Sequence, residues 1–201
     1  MRLWIPGILA MVTATWVVAA PDGGVTLDQR QIEYEAAIQN LLQSHLMVGY
    51  PDLTIQPELP VTRYEWAAVA SRLVWHFDLH LPARGYKPPD VPWDHWAEDA
   101  CRVLTAARLY PAPPGVYFRG DQLITRGELA LMAWNLVGAI KGITPPARLA
   151  DIDRPYEKAA AELQRMGILI GYPDGELHLE DTMPRWQVCL VAHRIANGQF
   201  R

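Results

Sequence analysis

The sequence predicts an all-α fold: three helix–loop–helix repeats whose second helices pack about a common axis, with only short extended segments in the loops. Three observations lead there. First, the 201-residue chain repeats itself, because Gly49-Tyr50-Pro51-Asp52 returns 122 residues on as Gly171-Tyr172-Pro173-Asp174. Arg63 and Arg185 stand at that same offset, as do Tyr34-Glu35 and Tyr156-Glu157, and Thr62-Arg63-x-Glu65 returns near the midpoint as Thr125-Arg126-x-Glu128. Second, three copies run in register from His45, Arg108 and Gly167 to Arg63, Arg126 and Arg185, 18 residues each time. Third, the alternating pattern of long strands is absent. Periods of this size belong to stacked units that cannot bury their apolar faces alone, which places function where copies meet.

Residues 1–20 read as an export signal. Arg2 precedes an apolar run from Leu3 to Val18, and the small residues Ala19 and Ala20 follow, the order of a cleavable leader. Cleavage after Ala19 and after Ala20 both fit. The run is shorter than the ~20 residues of a spanning helix and is interrupted by Pro6-Gly7. No membrane span is expected after its removal, so the mature protein is expected outside the cytoplasm.

The repeats are expected at 25–80, 87–141 and 148–199, separated by the Pro-rich runs Leu81 to Pro92 and Thr144 to Leu149. Each opens with a helix. In the third copy, Tyr156 to Arg165 is rich in Ala, Glu, Leu and Gln, good helix formers, and Gly167 is placed to end it. A turn-rich loop follows, as in Gly171-Tyr172-Pro173-Asp174-Gly175. One apolar residue per loop (Ile55, Phe118, Leu177) falls at an equivalent place and is expected to pin the loop to the core. The second helices start at a capping box, Thr62 with Glu65 and Thr125 with Glu128. In the third copy, Met183-Pro184-Arg185-Trp186-Gln187 loses the threonine but keeps an amide able to close part of the box. Apolar stripes at i, i+3, i+4, i+7 follow: Trp66, Val69, Ala70, Leu73; then Leu129, Met132, Ala133, Leu136; then Val188, Val191, Ala192, Ile195.

Composition narrows the function classes. Half the residues are apolar and the net charge is −4, without the basic footprint of a nucleic-acid binder. Eight tryptophans and 17 prolines suit aromatic platforms and stiff connectors. No Gly-x-Ser-x-Gly, His-Glu-x-x-His or phosphate loop occurs, and Glu65 and Glu128 are explained as capping partners, so no enzyme, catalytic residue or cofactor is expected. His76-x-Asp78-x-His80 has ligand-type residues, but it falls at a helix end and has no counterpart in the other copies; no metal site is expected there. Cys101 and Cys189 lie in apolar helical patterns, where a buried thiol packs as a small hydrophobe; export would also permit a disulfide.

These pieces together resemble the S-layer homology domain. The residues that carry the resemblance are Asp90-Val91, His95-Trp96-Ala97, Gly171-Tyr172-Pro173-Asp174-Gly175, Thr62-Arg63-Tyr64-Glu65 and Ile124-Thr125-Arg126-Gly127-Glu128, in order across residues 30 to 198. The resemblance implies a pseudo-threefold bundle whose inter-repeat grooves bind anionic cell-wall polysaccharide, typically pyruvylated. It implies a ligand-binding set of Arg63, Arg126 and Arg185 with Asp90, Trp96, Gly49 and Gly171. Chemically, an arginine in the first turn of a helix sets a bidentate donor beside free N–H groups and a positive dipole end. Arg63 and Arg126, with the full Thr-Arg-x-Glu start, are expected to contribute more than Arg185. The second copy departs from the loop pattern with Ala112-Pro113-Pro114-Gly115. The competing reading is an envelope protein–protein scaffold in which the arginines tie repeats together.

Overall fold

The computed structural model of the protein describes residues 27–81, 85–110, 115–143, 154–172 and 174–198. The expected export signal at 1–20, the loop at 111–114 and residues 144–153 at the start of the third copy lie outside the described residues. Among the described residues there are six helices: α1 (Leu27–Gln43), α2 (Arg63–His76), α3 (Glu98–Ala106), α4 (Arg126–Ile140), α5 (Pro155–Arg165) and α6 (Arg185–Ala196). Among the described residues there is no strand, only isolated bridges joining Pro60 to Pro184, Thr62 to Leu123 and Thr125 to Thr182.

The second helices start where their caps place them. Thr62 and Thr125 each close a full capping box with Glu65 and Glu128. At α6 the N-cap is Pro184 and no side chain caps the helix. Gln187 does not reach back as expected; its amide oxygen accepts from Arg126 of the neighbouring copy, and its Nε2 donates to the Tyr172 hydroxyl of its own loop at 3.4 Å. The predicted stripes are all buried, from Trp66 and Leu73 at 0% to Val69 at 5% exposed. They join one core in which α2 meets both α4 and α6.

Each first helix packs chiefly against the second helix of the preceding copy in a cyclic order: α3 on α2, α5 on α4 and α1 on α6. The sequence repeat and the packing unit are therefore offset, and the first and last helices close the assembly on each other.

The first helices end alike. His45, Arg108 and Gly167 have φ of 57°, 56° and 71°. Just after them, the amides of Leu46, Leu109 and Ile168 each donate at 2.9 Å to the carbonyls of Leu41, Leu104 and Leu163. This is a left-handed C-terminal cap with a buried apolar residue behind it. The glycine at 167 signals it; the other two copies hold the same turn with side chains that rarely adopt it. A second left-handed turn recurs at Gln56, Arg119 and His178, with φ of 49°, 54° and 47°. The loop residue Phe118 is fully buried, and Ile55 and Leu177 pack partly buried against the core.

At the centre, the residues before the second helices close a ring. The amide of Val61 donates to the carbonyl of Met183 at 3.0 Å, that of Met183 to Ile124 at 3.3 Å, and that of Ile124 to Val61 at 2.9 Å. All three side chains are at least 98% buried.

Candidate functional site

The helix-start arginines stand next to this ring. The ring sets each second helix so that its first amides face the loop of the adjacent copy. Arg63 and Tyr64 N–H donate to the carbonyls of Gln122 and Gly120, Arg126 and Gly127 N–H to Asp181 and Leu179, and Arg185 and Trp186 N–H to Leu59 and Pro57, all at 2.8–3.0 Å. At the third position, Thr62 Oγ1 and Thr125 Oγ1 accept from Glu65 and Glu128 N–H, and Gln187 N–H donates to the Pro184 carbonyl. The open helix-start amides expected from sequence are thus committed to the fold. What is left beside each helix start is the guanidinium and the side chains around it.

The three guanidinium groups follow one rule with one exception. Each reaches from its own copy to the third helical residue of the next. Arg63 donates from Nε to Glu128 Oε2 at 3.1 Å, and its Nη2 meets Glu128 Oε1. Arg185 donates from Nη1 to Glu65 Oε1 at 3.2 Å and from Nη2 to the Val48 carbonyl at 2.8 Å. Arg126 donates from Nη1 to Gln187 Oε1 at 3.0 Å and from Nη2 to the Ile170 carbonyl. Where the other two have a carboxylate, Arg126 has an amide.

Arg126 is 3% exposed, and its Nε is buried without a hydrogen-bond partner among the described residues. Burial pushes its guanidinium below the usual arginine range, opposed by Tyr172 and Asp181. Nε of Arg185 is also buried without a partner, but its charge is met by Glu65. Two arginines lie over tyrosines of the Gly-Tyr loops: Arg126 over Tyr172 at 4.9 Å and Arg185 over Tyr50 at 4.5 Å. The Tyr50 hydroxyl donates to Glu65 Oε1 at 2.6 Å. Arg63 instead lines an open recess of about 420 Å³ with Tyr110, Tyr117 and Arg119. Beside Arg126 lies a smaller cavity of about 90 Å³, walled by Tyr172, Trp186, Gln187 and the Glu33–Arg194 ion pair.

Asp90 spends both carboxylate oxygens on its own copy, accepting from Phe118 N–H at 2.8 Å and Arg119 N–H at 2.6 Å. It holds the loop beneath Arg63, and no sequence signal separates that duty from ligand contact. Trp96 is 64% exposed and its ring stands edge-on to Tyr64 at 6.0 Å, with His95 4.3 Å from the same ring. Gly49 lies close under its loop, where a Cβ would come within 2.9 Å of the Thr54 carbonyl. Gly171 lines the Arg126 cavity. The structure therefore distributes the sequence-named residues over the three helix starts and their adjoining loops. Sequence reasoning missed Gln187 as an arginine partner, Tyr50 and Tyr172 as the faces beneath the guanidinium groups, and the Glu33–Arg194 pair. The loss of glutamate at 187 was the available signal for the first.

Cys101 and Cys189 are both free and fully buried. Burial pushes each thiol up to about 12, and Cys189 Sγ packs 3.3 Å from Met47 Sδ.

Residues 27–66 match the S-layer homology domain family. The chain is 28% identical over 162 residues to Cell surface glycoprotein 1 of Acetivibrio thermocellus, which covers 75% of this chain and 7% of that protein. It is 26% identical over 159 residues to the Cellulosome-anchoring protein of the same organism, covering 75% of this chain and 35% of the relative. It is also 25% identical over 114 residues to Outer membrane protein SlpA of Thermus thermophilus, covering 51% of this chain and 12% of that protein. The chain thus spans about a third or less of the relatives it matches.

Proposed function

We propose that this chain, which carries an S-layer homology domain, is a non-catalytic, exported anchoring module of the cell envelope. In this reading the three repeats at 25–80, 87–141 and 148–199 form a pseudo-threefold bundle, and the grooves between them bind an anionic wall polysaccharide bearing pyruvate ketals. Arg63, Arg126 and Arg185 supply carboxylate contacts. Trp96 offers an exposed face for a sugar ring, while Asp90, Gly49 and Gly171 shape the loops beside them.

The observation that carries the reading is the cyclic reach of the arginines. Each leaves the start of one second helix and ends against the loop or helix start of the next copy, so every groove is made by two copies and presents a guanidinium. A planar guanidinium matches a carboxylate bidentately. The relatives named for the cell surface and for anchoring support the envelope location.

Sedimentation with purified, protein-free wall sacculi tests it. The protein should pellet with sacculi, and mild acid removal of pyruvate should release it. Losing one charge-assisted contact at a partly buried site costs about 1.5–3 kcal/mol, roughly tenfold to a hundredfold in affinity. Arg126→Ala should therefore weaken pelleting by at least that lower factor. A wild-type protein that ignores sacculi ends the reading. The ion pairs Arg63–Glu128 and Arg185–Glu65 favour a second reading, a protein scaffold whose arginines tie copies together. Capture of an envelope protein without any binding to sacculi would select it.

A further inference from the structure

We infer that α1, with the chain up to Tyr50, is an exchangeable element: two copies of this protein can close each other's bundles, with the turn at 51–54 as the hinge. Nothing in this exchange depends on what the grooves bind.

The segment 27–50 spends its contacts on the far end of the described chain. α1 lies chiefly on α6, with Ile38, Leu41, Leu46 and Met47 buried and Met47 Sδ 3.3 Å from Cys189 Sγ. Glu33 pairs with Arg194, the Val48 carbonyl accepts from Arg185 Nη2 at 2.8 Å, and the Tyr50 hydroxyl donates to Glu65. All of these partners lie in α2 and α6, beyond the turn. That body begins again at Pro57 and Leu59, whose carbonyls accept from Trp186 and Arg185 N–H. The body of a second copy therefore offers segment 27–50 the same partners in the same places. Among the described residues α1 is joined to the bundle by one connection, whereas α3 and α5 are each joined by two. Of the three first helices, α1 alone can change bundles without opening the chain on both sides.

The turn itself is held by little. Tyr50 N–H donates to the Thr54 carbonyl and Leu53 N–H to the Tyr50 carbonyl, both at 2.9 Å, and Asp52 accepts from Thr54 and Gln56. Residues 51–54 are exposed, so water replaces these bonds when the turn opens. Leu53 has φ of 65°, a left-handed region that costs a residue with a side chain. In the third copy the matching bond, from Gly175 N–H to the Tyr172 carbonyl at 3.0 Å, is made by glycine. Opening releases the Leu53 strain at both hinges of a dimer. Stretched out at ~3.4 Å per residue, residues 51–56 reach about 20 Å, and Pro51 keeps Tyr50 extended. Short strained hinges are the kind that exchange. A tethered helix has an effective concentration in the millimolar range. The closed monomer therefore holds in dilute protein, and the exchanged dimer belongs to concentrated protein.

The test uses the whole mature chain, unfolded in urea and refolded at about millimolar and at about micromolar protein. Size exclusion with light scattering reads the mass, which should be that of a dimer at the higher concentration and a monomer at the lower. An equal mixture of isotope-labelled and unlabelled chains, refolded at the higher concentration, then shows where α1 sits. Isotope-filtered NOEs from the Met47 methyl to Cys189 should cross between chains. Leu53→Gly removes the strain of the closed turn and should raise the dissociation constant of the dimer at least about fivefold. Exchange is overturned if the wild type refolds only as a monomer at millimolar protein. It is equally overturned if the NOEs stay within single chains, as in a side-by-side dimer, or if Leu53→Gly dimerises as readily as the wild type. Binding to sacculi is not read in this test, so its failure leaves the anchoring reading standing, and loss of the anchoring reading leaves the exchange standing.

Discussion

Replacing Glu65 by alanine should be among the most damaging changes available outside the apolar core. Its carboxylate serves two copies at once. Oε2 accepts from Thr62 N–H at 2.8 Å and Thr62 Oγ1 at 3.0 Å, while Oε1 accepts from Tyr50 Oη at 2.6 Å and Arg185 Nη1 at 3.2 Å. Removing it strips half of the α2 capping box, worth about 1 kcal/mol. It also leaves the Arg185 side chain, 7% exposed, without its counter-charge. Breaking a buried pair by removing one partner costs about 3–5 kcal/mol. Glu65 is itself 19% exposed, so water can reach part of the gap. We therefore place the whole loss near the lower end, about 3 kcal/mol, with the cap included. Glu65→Gln keeps acceptor oxygen and shape and should lose about half as much, within the ~1.5–3 kcal/mol of a charge-assisted contact. Urea unfolding with an unchanged m-value reads both, and a double substitution with Arg185→Met should recover much of the loss. A cost below about 1 kcal/mol for Glu65→Ala, the range of an exposed pair, would refute the view that Glu65 ties copy one to copy three.

Three further outcomes follow from the geometry. Gly120→Ala should cost at least about 2 kcal/mol by thermal melting, because its Cβ would lie 2.1 Å from ring atoms of Tyr64. Leu53 has φ of 65° where the third copy has Gly175 at 83°, so Leu53→Gly should stabilise by about 1 kcal/mol, the left-handed penalty minus the entropy of a freer unfolded chain. Asp174 raises the pKa of His178 above its ordinary 6.5, and its own is lowered below 3.8 by the Glu176 amide and by His178. The histidine contribution is complete below pH 6.5 and fades as pH rises through its raised value. The aspartate contribution is complete above 3.8 and fades as pH falls through its lowered value, so the loop is held best between the two. Asp174→Asn should bring the His178 ring titration in NMR back down towards 6.5.

Much of the local architecture was legible in the chain. The capping boxes at Thr62 and Thr125, the buried stripes of α2, α4 and α6, and the loop anchors Ile55, Phe118 and Leu177 all rest on spacings of a few residues. The left-handed cap at Gly167 was legible for the same reason, whereas its equivalents at His45 and Arg108 were hidden because their side chains do not advertise the turn. Gln187 was misjudged as a partial cap, since a side chain at the third helical position can turn back to its own cap or outward to a neighbour.

The division follows the range of the forces. Sequence by itself determined where α2 and α4 begin and which face of each second helix is apolar, because a cap or a stripe is settled within one or two turns, whereas α3 starts only at Glu98, eight residues beyond the Asp90 from which its copy was read. Only the tertiary structure decided that α1 closes onto α6 and that the helix-start amides are consumed by neighbouring loops. It also decided which residue answers each arginine. Those partners lie 65, 61 and 120 residues apart, and they meet only once the central ring fixes how far each copy is turned against the next. Whether an arginine faces a carboxylate or an amide is therefore written in one repeat and expressed in another.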